Sequence, residues 1–457
     1  MSLSISPALR HEAAANFKLA APLIAAQIAA VGMGAIDTMF AGRLGAQALA
    51  AVAVGVNYNI LFFAMALGLL MACSPIVAQL RGAGRAAAEI GAFMRRARRL
   101  GLIVALVWFV AVNASAAPAL RLLDLGGDTA QLAVRFVRYL SASAFGFSMY
   151  FALRSCAEGA GQTRPIFVAG VIGLAANVLL DWLLVFGHFG LPALGAIGCG
   201  IATTLSSALM AAVLWRSYRY EPRLRIYLDA AQPCAHGMRS ILRLGGPIAL
   251  ILLAESGLFV LAALLMARFG DAVVAAYQVA INFASLLFMI PLGVGQGTAV
   301  RVGLAAGAHE YLAARFRGVV GIGMGLINAL SNAAIMLLFG GVIVAIYTHD
   351  AAIAAQATHF LVLAAVFQFF DGVQVTANGA LRGLKDTRVP AVITLVAYWL
   401  VGLPVAWSLA FTQQIGADGL WWGLTAGLGI AAIGLSWRFV HNSGAHVRAT
   451  DSDVLSI

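Results

Sequence analysis

The chain has 457 residues, of which 62% are hydrophobic and only 10% charged, and it carries a formal net charge of +11. Soluble domains hold about 25% charged residues, so this composition excludes a soluble globular protein and describes a polytopic membrane protein. The positive charge does not point to nucleic acid, because Lys and Arg gather in alternate loops between the apolar segments, all on one side.

Apolar stretches recur at 15–40, 47–79, 97–118, 130–156, 165–187, 195–217, 239–267, 272–300, 316–339, 353–381, 389–411 and 417–440. Each is long enough to cross a bilayer as a helix, which predicts twelve spans. Span 1 carries Pro22 early and Asp37 late. The approach to span 3 holds Arg95, Arg96, Arg98 and Arg99, which read as a topology anchor beside anionic lipid. Span 5 contains NVLLD, placing Asn177 and Asp181 one turn apart, and span 6 contains GCGIAT with Thr203. The run YRYEPRLRIYLDAAQPCAHGM, 218–238, is the only sustained hydrophilic stretch in the chain interior and reads as a linker.

Span 7, with Pro247 early, includes IALILLAESGLFVLAALLMA. An acidic side chain such as Glu255 near the middle of a span costs roughly 2.5–3.5 kcal/mol on insertion scales. Span 10 contains VFQFFDG, in which Asp371 shares a helix face with Phe367, a ring positioned to stack on an organic cation. The four cysteines, Cys73, Cys156, Cys199 and Cys234, show no CxxC spacing and read as small core residues. No cleavable signal peptide is expected, the first apolar run being span 1.

With twelve spans, 24 of the 29 Lys and Arg fall on the side that holds both termini. Arg43, Arg121, Arg135, Arg138 and Arg268 fall on the other, which predicts cytoplasmic termini. A shift of 225 residues superimposes 18–84 on 243–309 without a gap, pairing Pro22 with Pro247, Gly45 with Gly270 and Asn57 with Asn282. GQTRP and KDTRVP extend the echo more weakly. The expected fold is therefore an all-α polytopic membrane protein, with twelve transmembrane helices in two pseudo-symmetric six-helix lobes. These are residues 13–217 and 239–441, joined by a cytoplasmic linker at 218–238. Because six is even, the repeats are parallel, and two such bundles suit a transporter that alternates its access. The matched prolines either weaken the ladder inside each first helix or mark where it begins.

Asp37, Asp181, Glu255 and Asp371 are the acids inside spans, and none has a basic partner within its own apolar segment. Such a carboxylate takes up a proton or holds a cation. Asp37 and Asp181 are expected about 10 Å deep on the outer side, with Asn177 and Thr203 completing an oxygen-rich group suited to a small hard cation such as Na+. Glu255 and Asp371 fall nearer the midplane. None is reproduced by the repeat: the matching positions of Asp37, Glu255 and Asp371 are Ala262, Ala30 and Gly146. Glu158 and Asp418, near helix ends, read as structural.

From about residue 13 to 440 the chain resembles the multidrug and toxic compound extrusion family, in its NorM-like bacterial branch. The resemblance rests on AIDTMFAGRLGAQALAAVAVG, NVLLD, GCGIAT, AAYQVAINF, FDGVQVTANGALRGLKDTRVP and Glu255, in order and at matching spacing. It implies a bacterial inner-membrane antiporter that expels organic cations and drugs in exchange for Na+ or H+, as a monomer and without a cofactor. It also implies Glu255 and Asp371 as the cation site of the second lobe, and Asp37, Asn177, Asp181 and Thr203 as that of the first. The implied substrate cavity takes in Asp37, Gln278, Asn282, Phe288 and Phe367.

Neither lysine, Lys18 or Lys385, follows a glycine, so no P-loop supplies nucleotide energy. HExxH, GxSxG and CxxC are all missing from the sequence, which argues against an intramembrane enzyme. The alternative within this architecture is a flippase for lipid-linked saccharides, whose pyrophosphate cargo calls for arginine where this chain has acids.

Overall fold

In hydrocarbon every backbone N–H and C=O must be satisfied inside the protein, and helices do this segment by segment. The structure is a computed structural model that describes residues 6–121, 127–228, 236–348 and 350–455, and no strand occurs among the described residues. In chain order the first half comprises α1 (Pro7–Arg43), α2 (Ala46–Met71), α3 (Cys73–Gly82), α4 (Ala87–Arg121), α5 (Gly127–Ser141), α6 (Ser143–Gly159), α7 (Arg164–Phe186), α8 (Ala196–Tyr220) and the short α9 (Pro222–Arg225). The second half comprises α10 (Met238–Met266), α11 (Asp271–Gly307), α12 (Tyr311–Tyr347), α13 (Ala351–Gly383), α14 (Arg388–Leu395), α15 (Leu403–Trp407) and α16 (Ala417–Leu455).

Among the described residues, eleven helices are long and apolar enough to cross a membrane, counting α2 with α3, and α14 with α15, as single spans. The predicted fourth span is α5 followed by α6, interrupted at Ala142, which keeps helical dihedrals of φ −66° and ψ −20°. The interruption is thus a hitch in one rod, and the twelve expected spans are all accounted for. The helices overrun the apolar runs that predicted them. α11 has 37 residues, about 55 Å of helix against about 30 Å of hydrocarbon, its last turns at 301–307 continuing past the apolar run that predicted it. The eleventh span departs most from a regular helix: Val396–Gly402 and Ser408–Thr412 on either side of α15 are π-helical.

Pro22 lies inside α1 and Pro247 inside α10, so neither marks a helix start. Each removes one hydrogen bond from a helix interior at matched positions of the repeat. Two compact units emerge from the packing: Ala25–Val77 with Arg85–Ala249, and Met1–Ile24 with Ala78–Gly84 and Leu250–Ile457. α1 and α10 therefore change unit a few residues past their prolines, again at matched positions. The predicted linker is described only at its ends, and Cys234 lies outside the described residues.

The unit containing most of the first half packs around Trp108, Val112, Phe136, Leu140 and Cys199, with Phe63 meeting Phe147 and Phe151 edge-on at 5.2 Å each. In the other unit Tyr277, Phe360, Phe367, Tyr398 and Trp421 form the core. There α11 and α13 approach backbone to backbone: a Cβ added at Gly379 would collide with the carbonyl oxygen of Gly295. Lipid tails are as apolar as leucine, so such close approach at small residues is what holds membrane helices together. Asp350 caps α13, accepting from the backbone N–H of Ala352 at 2.9 Å and of Ile353 at 3.0 Å.

Candidate functional site

Three helices of one unit converge on Asp37. α1 brings the carboxylate, α7 brings Asn177 and Asp181 one turn apart, and α8 brings Cys199 and Thr203 one turn apart. Asn177 donates from Nδ2 to Asp37 Oδ1 at 3.1 Å, and Thr203 donates from Oγ1 to Asp37 Oδ2 at 2.7 Å. The Cys199 thiol donates to the Asp37 carbonyl at 3.8 Å. Asp181 is fully buried and interacts electrostatically with Asp37 and with Cys199. Neither of its carboxylate oxygens, nor Asn177 Oδ1, has a hydrogen-bond partner among the described residues. The residues expected as the first group are thus brought together, all less than 9% exposed. Asp37 has donors, whereas Asp181 has none among the described residues. Two carboxylates and an amide oxygen facing one another are stable only with a proton or a cation among them.

Glu255 and Asp371 form a second cluster, in the other unit, from α10 and α13. Asp371 is buried, interacts with Glu255, and has Oδ1 without a hydrogen-bond partner. Glu255 is half-buried and feels the positive field of Arg382. Tyr398, in the π-helical segment, interacts with both acids, and its hydroxyl has no hydrogen-bond partner. Along α13, Gln368, Asp371, Gln374, Asn378 and Arg382 recur every three or four residues and all are buried, giving one polar stripe. Gln368 donates to the carbonyl of Ala284 at 2.6 Å, while Gln368 Oε1, Gln374 Oε1 and Asn378 Oδ1 take no donor. The amides and Tyr398 escaped the sequence reading. The amides were signalled by their spacing from Asp371, whereas Tyr398 sits in π-helical backbone whose sequence sign is the Gly402 and Pro404 that follow it.

Among the described residues none of the four acids forms an ion pair. Several other buried or half-buried acids do find partners. Glu12 binds Arg301 through two hydrogen bonds and Arg317 at 3.7 Å. Asp386 accepts from Arg438 and Asn442 at 2.9 Å each, Glu158 accepts from Ser74 at 2.9 Å, and Asp418 meets His359 at 2.7 Å. The structural reading of Glu158 and Asp418 agrees with these contacts.

The predicted cavity residues do not behave alike. Gln278 and Asn282 are exposed one turn apart on α11, Asn282 donating to the Gln278 carbonyl at 2.7 Å, and Phe288 is half-buried on the same helix. Asn57, the repeat partner of Asn282, is likewise exposed on α2. Phe367 departs from expectation. It is 1% exposed, wedged edge-on against Phe259 at 5.9 Å and Trp421 at 6.0 Å, so it packs the core instead of lining a cavity. It shares Asp371's face, but rings from α10 and α16 fill the space in front of it.

The MatE family model matches residues 22–183 and again 247–408, the second match displaced by the same 225 residues as the repeat. Multidrug resistance protein NorM of Vibrio vulnificus strain YJ016 is 36% identical over 451 residues, covering 96% of this chain and 98% of its own. Probable multidrug resistance protein NorM of Deinococcus radiodurans is 38% identical over 444 residues, covering 95% and 96%. Among solved structures, the outward-facing conformation of a multidrug resistance MATE family transporter of the MOP superfamily superposes with a TM-score of 0.86 at 20% identity, covering 96% of this chain and 97% of that one, which establishes the shared fold.

Proposed function

Since the chain belongs to the MatE family, being matched by its model in both halves, we propose that it is a multidrug exporter that expels organic cations in antiport with Na+ or H+. The observation that carries this reading is the pair of acid clusters, four carboxylates inside membrane helices with no ion pair among the described residues. The relatives named as multidrug resistance proteins support it. Asp37, Asn177, Asp181 and Thr203 hold the coupling ion in one unit, and Glu255 and Asp371 hold it in the other. Their oxygens suit a hard monovalent cation, and a shared proton satisfies the same need. Gln278 and Asn282 contact the drug. The protein is multi-pass in a bacterial inner membrane with both termini cytoplasmic, as its charge bias indicates.

Coupling follows from competition for charge. A cation entering a cluster neutralises it, favours one packing of the helices, and lowers the affinity for a positively charged drug. Exchange of one ion for one singly charged drug moves no net charge, so about a tenfold ion gradient, roughly 1.4 kcal/mol, sustains about a tenfold drug gradient, and each further ion per cycle adds about 2.3 kcal/mol per 100 mV. A flippase for anionic lipid-linked saccharides has no comparable use for four unpaired acids. The test is reconstitution in liposomes with an imposed Na+ or pH gradient and a fluorescent organic cation. Gradient-dependent transport is expected, and its absence in folded protein refutes the reading.

A further inference from the structure

The arginine cluster near the start of α4 has a shape that a topology signal does not need. Arg95, Arg98, Arg99 and Leu102 follow one another at spacings of three, one and three, which places them on one helix face. With Met149 of α6 and Trp215 of α8 they line a groove of about 560 Å3 within a single unit. Arg96, turned to a neighbouring face, is used internally, donating from Nη1 to the carbonyl of His236 at 2.8 Å. Arg98 instead lies over the Trp215 ring, 4.4 Å from its centroid, and Arg219 approaches the same ring at 5.6 Å.

Among the described residues no carboxylate pairs with Arg95, Arg98 or Arg99, and Arg95 and Arg99 act on Arg98 as like charges. Three guanidinium groups at one end of the groove call for an anion. Its remaining walls are apolar, with Leu102 48% exposed, and call for hydrocarbon. The stripe straddles residue 97, where the apolar run of span 3 begins, and Trp215 sits near the end of span 6 on the same side of the chain's predicted topology, at the depth where headgroups meet acyl chains. At the 225-residue shift the repeat positions of Arg95, Arg98 and Arg99 are Val320, Gly323 and Met324, so the second half holds no copy of the arginine face.

We propose that this groove binds one anionic phospholipid, its phosphate chelated by Arg95, Arg98 and Arg99 and an acyl chain laid along Leu102, Met149 and Trp215. Trp215 holds the Arg98 guanidinium flat, leaving its N–H edge to the phosphate. The test is native mass spectrometry of delipidated protein titrated with phosphatidylglycerol or phosphatidylcholine. Phosphatidylglycerol should bind as a discrete adduct and resist an excess of inorganic phosphate. Each arginine replaced by glutamine should weaken it about fivefold, and the triple variant by on the order of a hundredfold. Arg223→Gln, which removes an exposed arginine that does not line the groove, should leave binding unchanged. Ala212→Trp fills the apolar wall while keeping every charge, and should lower binding at least tenfold even if the triple variant inserts badly. Equal binding of phosphatidylcholine, displacement by inorganic phosphate, or undiminished binding in Ala212→Trp would overturn the proposal.

Discussion

A carboxylate removed from water is stable only in company, and the acids of this chain keep two kinds. Glu12 sits between Arg301 and Arg317, a fixed arrangement in which one carboxylate serves two guanidinium groups. Asp181 faces the Asp37 carboxylate, and no ion pair reaches it among the described residues. Opposite outcomes follow for the same chemical change. Glu12→Gln strands two arginines and should cost about 3 kcal/mol of stability, seen as a lower thermal midpoint in detergent. Asp181→Asn and Asp371→Asn relieve a like-charge contact, so the midpoint should hold or rise while coupled transport is lost. Wild-type protein should also be stabilised by the coupling ion, by about 2.7 kcal/mol at a hundred times its Kd, and the Asp37→Asn/Asp181→Asn double variant should lose the part of that shift due to its cluster. The acids were legible in the sequence because a charge inside an apolar run is conspicuous, and so was the grouping of Asp37 with Asn177, Asp181 and Thr203. The burial of Phe367 was not, because a helix face is set by spacing but what stands opposite it is set by distant parts of the chain, here Phe259 and Trp421.

Helices in lipid associate through packing and not through expulsion of water, which makes single small residues decisive. The Gly295–Gly379 approach holds α13, the helix that carries Asp371, against α11. Gly379→Leu should therefore lower both thermal stability and transport, whereas Asp350→Ala, which removes only a cap, should cost about 1 kcal/mol and leave transport intact. Thermal unfolding and uptake assays on the two variants separate these effects. Existence of the spans was readable from length and hydropathy, but their interruptions were not. Ala142 breaks α5 from α6 without a proline or glycine, whereas Gly402 and Pro404 lie at the π-helical turns that position Tyr398 and mark a break without fixing its form. Pro22 and Pro247 were conspicuous, and their place inside helices, next to the points where α1 and α10 change unit, makes them interior irregularities instead of starts.

For the whole molecule, the duplication at 225 residues was legible because it is ungapped over its strongest stretch, and the family model reproduces the displacement at both ends of its two matches. Duplication supplies two similar bundles, yet chemistry was not duplicated with them: Asp37, Glu255 and Asp371 each face an uncharged residue in the other copy. The two acid clusters accordingly differ in residues and surroundings, and each is expected to bind its ion with its own affinity. If mobile cations occupy them, linkage requires that a drug which lowers ion affinity be displaced by ions, and that it displace ions in return. The most direct measurement is ion release from purified protein on addition of an organic cation, followed by a pH indicator in weak buffer and by a Na+-sensitive dye. The account predicts release of H+ or Na+ that saturates with the drug and is lost when Asp37, Asp181, Glu255 and Asp371 are all converted to their amides. Drug binding without release of either ion, or release unchanged in that variant, would contradict it.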